Sequence, residues 1–179
     1  MSRLLLKKSF YEQSAPIVAR QLLGKYLVGQ TSDGPLALMI TETESYGGAE
    51  DLASHAAGGK KTKRNEVMYG PPGHWYVYLV YGLHYMLNVV TEPAGRPAGR
   101  VIRAVAETAG PGRVGKLFEV NREDNREPAN QPNSRLVIED RGFKVQSRDI
   151  VTGPRIGVSY AGPVWSQKPF RFYLKNMVK

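Results

Sequence analysis

Trp75-Tyr76-Val77-Tyr78-Leu79-Val80-Tyr81-Gly82-Leu83-His84-Tyr85 is the stretch on which the reading of this chain turns. Five of its eleven residues carry Trp or Tyr rings, in a sequence that is otherwise only 9% aromatic. Alternation of large side chains at a period of two predicts strand rather than helix. Tyr81-Gly82 interrupts it as the tip of a hairpin between strands near 74–80 and 83–90. Trp75, Val77 and Leu79 fall on one face and suit a core, while Tyr76, Tyr78 and Val80 fall on the other. Tyrosine is costly to bury without a partner for its hydroxyl, so a run of them points to a half-wet, amphipathic surface. Tyr81, at the tip, projects away from both faces.

Outward from the hairpin the chain is rich in short strands. Ser14-Ala15-Pro16 opens a helix with Ser14 as cap, Ile17, Val18, Leu22 and Leu23 on its core side, and Gly24 as its stop. Residues 25–29 read as a strand and 32–35 as a turn. From Leu36 to Tyr46 a second strand places Leu38, Ile40, Glu42, Glu44 and Tyr46 at a period of two. An apolar face that turns acidic partway along marks a strand leaving a core and entering a cleft. Residues 47–65 are polar and Gly-rich, and Gly70-Pro71-Pro72-Gly73 is a turn. Residues 100–106, 136–142, 150–160 and 170–175 supply further strands, and 121–135, with almost no large apolar side chain, reads as an exposed loop. The expected fold is α+β: one domain over 1–179, built on a curved, mostly antiparallel β-sheet with surrounding helices and a protruding β-hairpin.

Composition narrows the partners. Lys and Arg number 25 against 16 acidic residues, for a formal charge of +9. That balance favours an anionic partner, above all a nucleic acid, whose flat bases also match the ring-rich hairpin. With no cysteine, disulfides, thiolate catalysis and Cys-based zinc sites are excluded. His55, His74 and His84 are too scattered for a metal motif, so no metal and no cofactor is expected. The opening Met-Ser-Arg-Leu-Leu-Leu-Lys-Lys is too short in apolar residues for a signal core or membrane span, which leaves an intracellular soluble protein with no membrane partner. A monomer is the simplest assembly.

The chemistry-bearing residues each admit a plain reading. Glu42 and Glu44, about 6.5–7 Å apart by strand rise, have the spacing of paired carboxylates in glycoside hydrolysis, yet are equally two solvated residues on an edge strand. Gly110-Pro111-Gly112-Arg113-Val114-Gly115 matches a dinucleotide glycine pattern but lies in no βαβ unit, so a helix-starting turn is the better reading. Lys60, Lys61, Lys63 and Arg64 form a basic loop, and Arg113 and Lys116 add positive charge farther on. All six are candidates for DNA-backbone contacts.

Ordered blocks in the chain resemble the alkyladenine (3-methyladenine) DNA glycosylases of the animal and bacterial alkylpurine type. They are Thr41-Glu42-Thr43-Glu44-Ser45-Tyr46, Ala53-Ser54-His55, Arg64-Asn65, Tyr76-Val77-Tyr78-Leu79-Val80-Tyr81-Gly82 with Asn88, Val101-Ile102-Arg103 and Gly153-Pro154-Arg155-Ile156-Gly157. The likeness runs from Leu22-Leu23-Gly24-Lys25 to Lys168-Pro169-Phe170-Arg171-Phe172-Tyr173. It implies a monofunctional glycosylase that flips a damaged purine out of duplex DNA, works from the minor groove and leaves an abasic site. By the same likeness Glu44 is the general base, and Arg103 and the Ile156 carbonyl hold its water. Tyr46, His55 and Tyr78 sandwich the base, Asn88 disfavours guanine, and Tyr81 is the DNA wedge; Glu42 is structural. A bacterial member would be cytoplasmic and nucleoid-associated. The chain departs from the pattern around 113–118, in the Asn- and Arg-rich 121–135 segment, and at Leu83 and Val101. Two rivals stand beside this: a lyase using Lys60, Lys61 or Lys63 as Schiff-base nucleophile, and a non-catalytic DNA-binding protein that stacks bases on its aromatic hairpin.

Overall fold

The computed structural model describes residues 4–175 and Met177. Helices α1 (Lys8–Tyr11) and α2 (Ala15–Leu22) precede strands β1 (Tyr26–Thr31) and β2 (Gly34–Tyr46). The hairpin follows as β3 (Trp75–Val80) and β4 (His84–Val90), then β5 (Gly99–Val105), β6 (Thr108–Ala109) and α3 (Pro111–Leu117). Strands β7 (Leu136–Glu139) and β8 (Ile150–Gly153), helix α4 (Gly162–Gln167) and β9 (Arg171–Leu174) complete the order. Strands run β3-β4-β5-β2-β1-β7, with β6 on β5, and β9 bridging β2 to β8. Every ladder is antiparallel among the described residues. The α+β expectation therefore holds.

β2 does most to organise the sheet. Its first half pairs with β1 and its second half with β5 and β9. Two irregularities interrupt the β2–β5 ladder. Ile40 faces Val105 and Glu42 faces Ala104, so Thr41 is an extra residue on β2; Thr43 then faces Ile102, so Arg103 is an extra residue on β5. Such bulges re-aim side chains and commonly sit beside active sites. Here they separate a core residue, the fully buried Ile40, from the acidic residues that follow.

The main core gathers Val18 and Leu22 of α2, Trp75 and Val77 of β3, Leu87 and Val89 of β4, Val114 of α3 and Phe118 at the C-cap of α3. Trp75 is fully buried and donates its indole N–H to the Leu136 carbonyl at 2.9 Å. Helix α3 starts at Gly110 (φ +100°), as a turn-to-helix reading of the glycine run requires. The other glycines serve packing: a Cβ on Gly115 would lie 2.2 Å from the Tyr85 carbonyl oxygen, and one on Gly112 would lie 2.9 Å from the His84 ring. Only glycine lets α3 lie this close to β4.

The hairpin forms where it is read, but Leu79, expected on the core face with Trp75 and Val77, is 42% exposed. Val80 pairs with His84 across a turn whose Tyr81 and Gly82 have φ of +53° and +68°, the left-handed pair of a type I′ turn. Residues 81–84 are all exposed, so the tip stands clear of the body.

Three further expectations need correction. Ile17 is 46% exposed and faces away from the core that Val18 and Leu22 enter. Ser14 makes no side-chain cap; the Glu92 carboxylate accepts the Ala15 N–H instead, at 3.0 Å. Residues 121–135 are also more than an exposed loop. Asp124 and Ala129 are buried, and main-chain bonds run from Arg126 N to Trp75 O, Trp75 N to Glu127 O and Ala129 N to Gly73 O. The segment covers the free edge of β3 through its backbone, a role that needs no large apolar side chain.

Candidate active site

Beyond the bulge at Thr41, β2 carries Glu42, Glu44 and Tyr46 toward a cavity of about 460 Å³. That size is ordinary for a small-ligand pocket. Glu44, fully buried, lines it. One carboxylate oxygen, Oε1, accepts the Ile156 N–H at 2.8 Å, and Oε2 accepts the Tyr46 hydroxyl at 2.8 Å. Arg103, the bulged residue of β5, places Nε 3.3 Å from Oε1 and Nη1 3.4 Å from Oε2. Burial pushes the Glu44 carboxyl above its ordinary range; Arg103, the Ile156 N–H and the Tyr46 hydroxyl oppose that, and Glu42 adds to it. The result is a carboxylate fixed in position and more basic than a solvated one.

Glu42 is nearly as buried and holds the same arginine: Arg103 Nε lies 3.2 Å from its Oε1, and Arg171 Nε 3.6 Å. It does not line the cavity. The plain reading of two solvated carboxylates on an edge strand is excluded.

The aromatic walls come from β2, β3 and the 47–56 loop. His55 Nδ1 lies 2.8 Å from the Tyr76 hydroxyl, and its ring meets Tyr78 edge-on at 4.6 Å. Although its outer edge is exposed, desolvation first and the Arg64 guanidinium second hold the imidazole below its ordinary pKa. The Tyr78 phenol is pushed up to about 12, chiefly by burial. Asn88, opposite Tyr76 in the ladder, donates its amide to the carbonyls of Tyr76 (3.0 Å) and Met86 (3.3 Å), which fixes its orientation on the cavity wall. Tyr81 is 91% exposed at the rim.

One cavity thus brings together Glu44, Tyr46, His55, Tyr78, Tyr81, Asn88, Arg103, Ile156 and Arg64. The family resemblance implies a role for the Ile156 carbonyl; the contact the structure gives to Glu44 is through its N–H. Lys60, Lys61, Lys63, Arg113 and Lys116 are exposed and lie outside the cavity wall. Arg64 is exposed at the rim, with its guanidinium 5.1 Å from the Tyr78 ring centroid. Sequence reasoning missed Tyr76, which positions His55, and Tyr160, whose hydroxyl donates to the Ala53 carbonyl at 3.0 Å beside the cavity mouth. It also missed the partnership of Asp51 with Arg155 behind the wall. Tyr76 and Arg155 lie inside quoted blocks, so a signal was present; Asp51, one acid in a polar loop, gave none. Among the described residues no group of three or more His, Asp or Glu could hold a metal ion, and no helix is long and apolar enough to cross a membrane.

Comparison with known proteins finds relatives over nearly the whole chain. A protein of Myxococcus xanthus is 42% identical over 181 residues, covering 96% of this chain and 90% of its own length. One from Ehrlichia chaffeensis is 38% identical and covers 99% of this chain and 97% of its own length, and one from Methanocella arvoryzae is 41% identical. Each of the three bears the name "Putative 3-methyladenine DNA glycosylase". A buried carboxylate facing an aromatic cleft on a basic protein, with these relatives, defines a DNA glycosylase and hence an enzyme of DNA repair. Within that class the chain belongs to the methylpurine-DNA glycosylase family, whose sequence model matches residues 9–178.

Proposed function

We propose that this enzyme excises alkylated purines, 3-methyladenine first among them, from duplex DNA by hydrolysing the N-glycosidic bond of a flipped nucleotide. The observation that carries the reading is Glu44: a fully buried carboxylate lining an aromatic cavity, with both oxygens held. Extruding a base costs a few kcal/mol, less for a damaged pair. Tyr81 enters the minor groove and fills the gap, which opposes the base's return. Tyr46, His55 and Tyr78 grip the flipped purine, and Asn88 crowds the 2-amino group of guanine. Water held by Glu44, Arg103 and the Ile156 backbone attacks the sugar carbon. Its proton passes to Glu44, and the electrons of the glycosidic bond leave with the purine. The product is an intact strand with an abasic site. 7-Methylguanine, hypoxanthine and ethenoadenine are the further substrates to assay. The lysines that lyase chemistry would need are exposed and lie outside the cavity wall, away from the sugar of a base seated in it, so the reaction stops at hydrolysis.

The direct test is release of 3-methyladenine from methylated duplex without added metal, followed by borohydride treatment. Free base, an alkali-labile strand and no trapped protein–DNA adduct are expected. A trapped adduct would transfer the assignment to a lyase, and binding without release would favour the aromatic-hairpin binder.

Two more results follow from the surface. The left-handed turn position of Tyr81 tolerates asparagine well. Tyr81→Asn is therefore expected to keep or slightly raise the thermal midpoint, while excision from duplex falls about tenfold or more for want of a wedge. A variant that cut duplex at the wild-type rate would remove Tyr81 from that role. Affinity for DNA is expected to fall with salt at a log–log slope of about −0.9 per phosphate neutralised. Lys60→Ala and Lys63→Ala, measured by anisotropy, should each flatten it by about that increment; unchanged slopes would place the DNA elsewhere.

A further inference from the structure

Behind the cavity wall lies an ion pair to which the mechanism above gives no part. The side chains of Asp51 and Arg155 are fully buried. Arg155 Nη1 reaches Asp51 Oδ2 at 2.6 Å and Nη2 reaches Oδ1 at 2.9 Å. Asp51 also accepts the backbone N–H groups of Gly47 (2.8 Å) and Ala53 (3.0 Å). Arg155 donates further to the carbonyls of Ser45 (2.9 Å) and Trp165 (3.2 Å). Its guanidinium carbon sits 4.7 Å from the centroid of the Tyr46 ring and 5.3 Å from that of Phe170. Tyr46 lines the cavity and Arg155 does not. The cation therefore covers the ring face turned away from the base site.

A cation held over one face of a phenol ring is attracted by the ring's quadrupole and polarises its π density. A cationic purine on the opposite face then meets a depleted ring and a like charge beyond it. A neutral purine meets no such opposition. Glu44, hydrogen-bonded to the Tyr46 hydroxyl, works the other way by favouring a cation in the cavity. Arg64 faces the Tyr78 ring, but it is exposed and screened by solvent. Arg155 is buried, and its field reaches Tyr46 with less screening.

We propose that Arg155 is a specificity-determining residue that damps the pocket's preference for cationic purines, so that neutral damaged purines compete for the same ring. This rests on the reading of Tyr46 as the surface on which the flipped base stacks. Asp51 offsets part of the guanidinium charge, so the two members of the pair act on selectivity with opposite signs.

The test is equilibrium binding to two duplexes, one with a single 7-methylguanine (cationic) and one with a single hypoxanthine (neutral). A Glu44→Gln background keeps both intact. The double variant Asp51→Asn/Arg155→Gln removes both buried charges together and is expected to raise the cationic-to-neutral affinity ratio about three- to tenfold. Asp51→Asn alone leaves the guanidinium unneutralised and is expected to lower the ratio. A structural role would weaken both duplexes equally in both variants, and that result would overturn the proposal. So would a shift of the same sign in the two variants. Each variant can be read without the other should one not fold. Tyr46→Leu separates the layers: unchanged affinity for both duplexes would sink the stacking reading itself, independently of Arg155.

Discussion

Glu44→Gln is expected to lower single-turnover excision of 3-methyladenine by about 10²–10⁴-fold, the usual range for losing a general base, while binding to lesion-bearing duplex stays near wild type. The amide keeps the shape of the carboxylate: its oxygen can accept the Ile156 N–H and its NH2 can donate to the Tyr46 hydroxyl oxygen, in place of the two 2.8 Å bonds that hold Glu44. It cannot take a proton from water. Loss of rate with retained affinity is thus the signature of a group acting on the reaction rather than on recognition. The wild-type rate carries a second sign of the same residue. Because burial raises the Glu44 carboxyl above the ordinary glutamate range, the base form is lost as pH falls through that raised midpoint. The acid limb of the excision rate is expected there in the wild type and absent in the residual activity of the glutamine variant. Wild-type-like turnover by Glu44→Gln would end the assignment.

Arg155→Met is expected to lower unfolding free energy by about 3–5 kcal/mol, as breaking a buried ion pair from one side does. Asp51 would remain as a fully buried carboxylate with only the N–H groups of Gly47 and Ala53 to hold it. The same change releases the Ser45 and Trp165 carbonyls from their donor. In a protein of typical stability, about 5–15 kcal/mol, that loss is a large fraction of the whole. Urea unfolding of wild type, Arg155→Met and Asp51→Asn/Arg155→Gln measures it. The neutral pair is expected to lie well above the methionine variant, because it leaves no unpaired buried charge. Equal midpoints for Arg155→Met and wild type would mean that water reaches Asp51.

The strands and the hairpin were legible because their signals are local. Alternation over 75–80, a Tyr-Gly tip and the Gly110-Pro111-Gly112 start each act within a few residues of themselves. Helix α2 was legible in existence but not in facing: Ile17 has the periodicity of a core residue, yet it lies on the side that the sheet does not cover. The 121–135 segment misled for a related reason. Its packing runs through backbone N–H and C=O groups, which every sequence carries alike. At the site, resemblance to a known family singled out residues that the structure gathers around one cavity, while composition and spacing alone left Glu42 and Glu44 undecided. What decided them is Arg103, more than fifty residues downstream, which a bulge turns toward both. The Asp51–Arg155 pair was hidden in the same way, since its members are brought together only by the closing of β9 onto β2 and the loops at either end.

The paired irregularities of the β2–β5 ladder bear on which kinds of genetic change this site tolerates. Thr41 is one residue too many on β2 and Arg103 one too many on β5, so the two cancel and Ser45 again faces Arg100, Tyr46 again faces Gly99. Point substitutions leave that cancellation intact. Loss of the single codon for Thr41 would remove only the bulged residue: Ile40 and Glu42 could still face Val105 and Ala104, with Arg103 left as the single bulge of this ladder. Descendants of this chain can thus vary their pocket walls by substitution, whereas loss of a residue within 43–46, where pairing with β5 is one to one, would turn each following side chain to the opposite face.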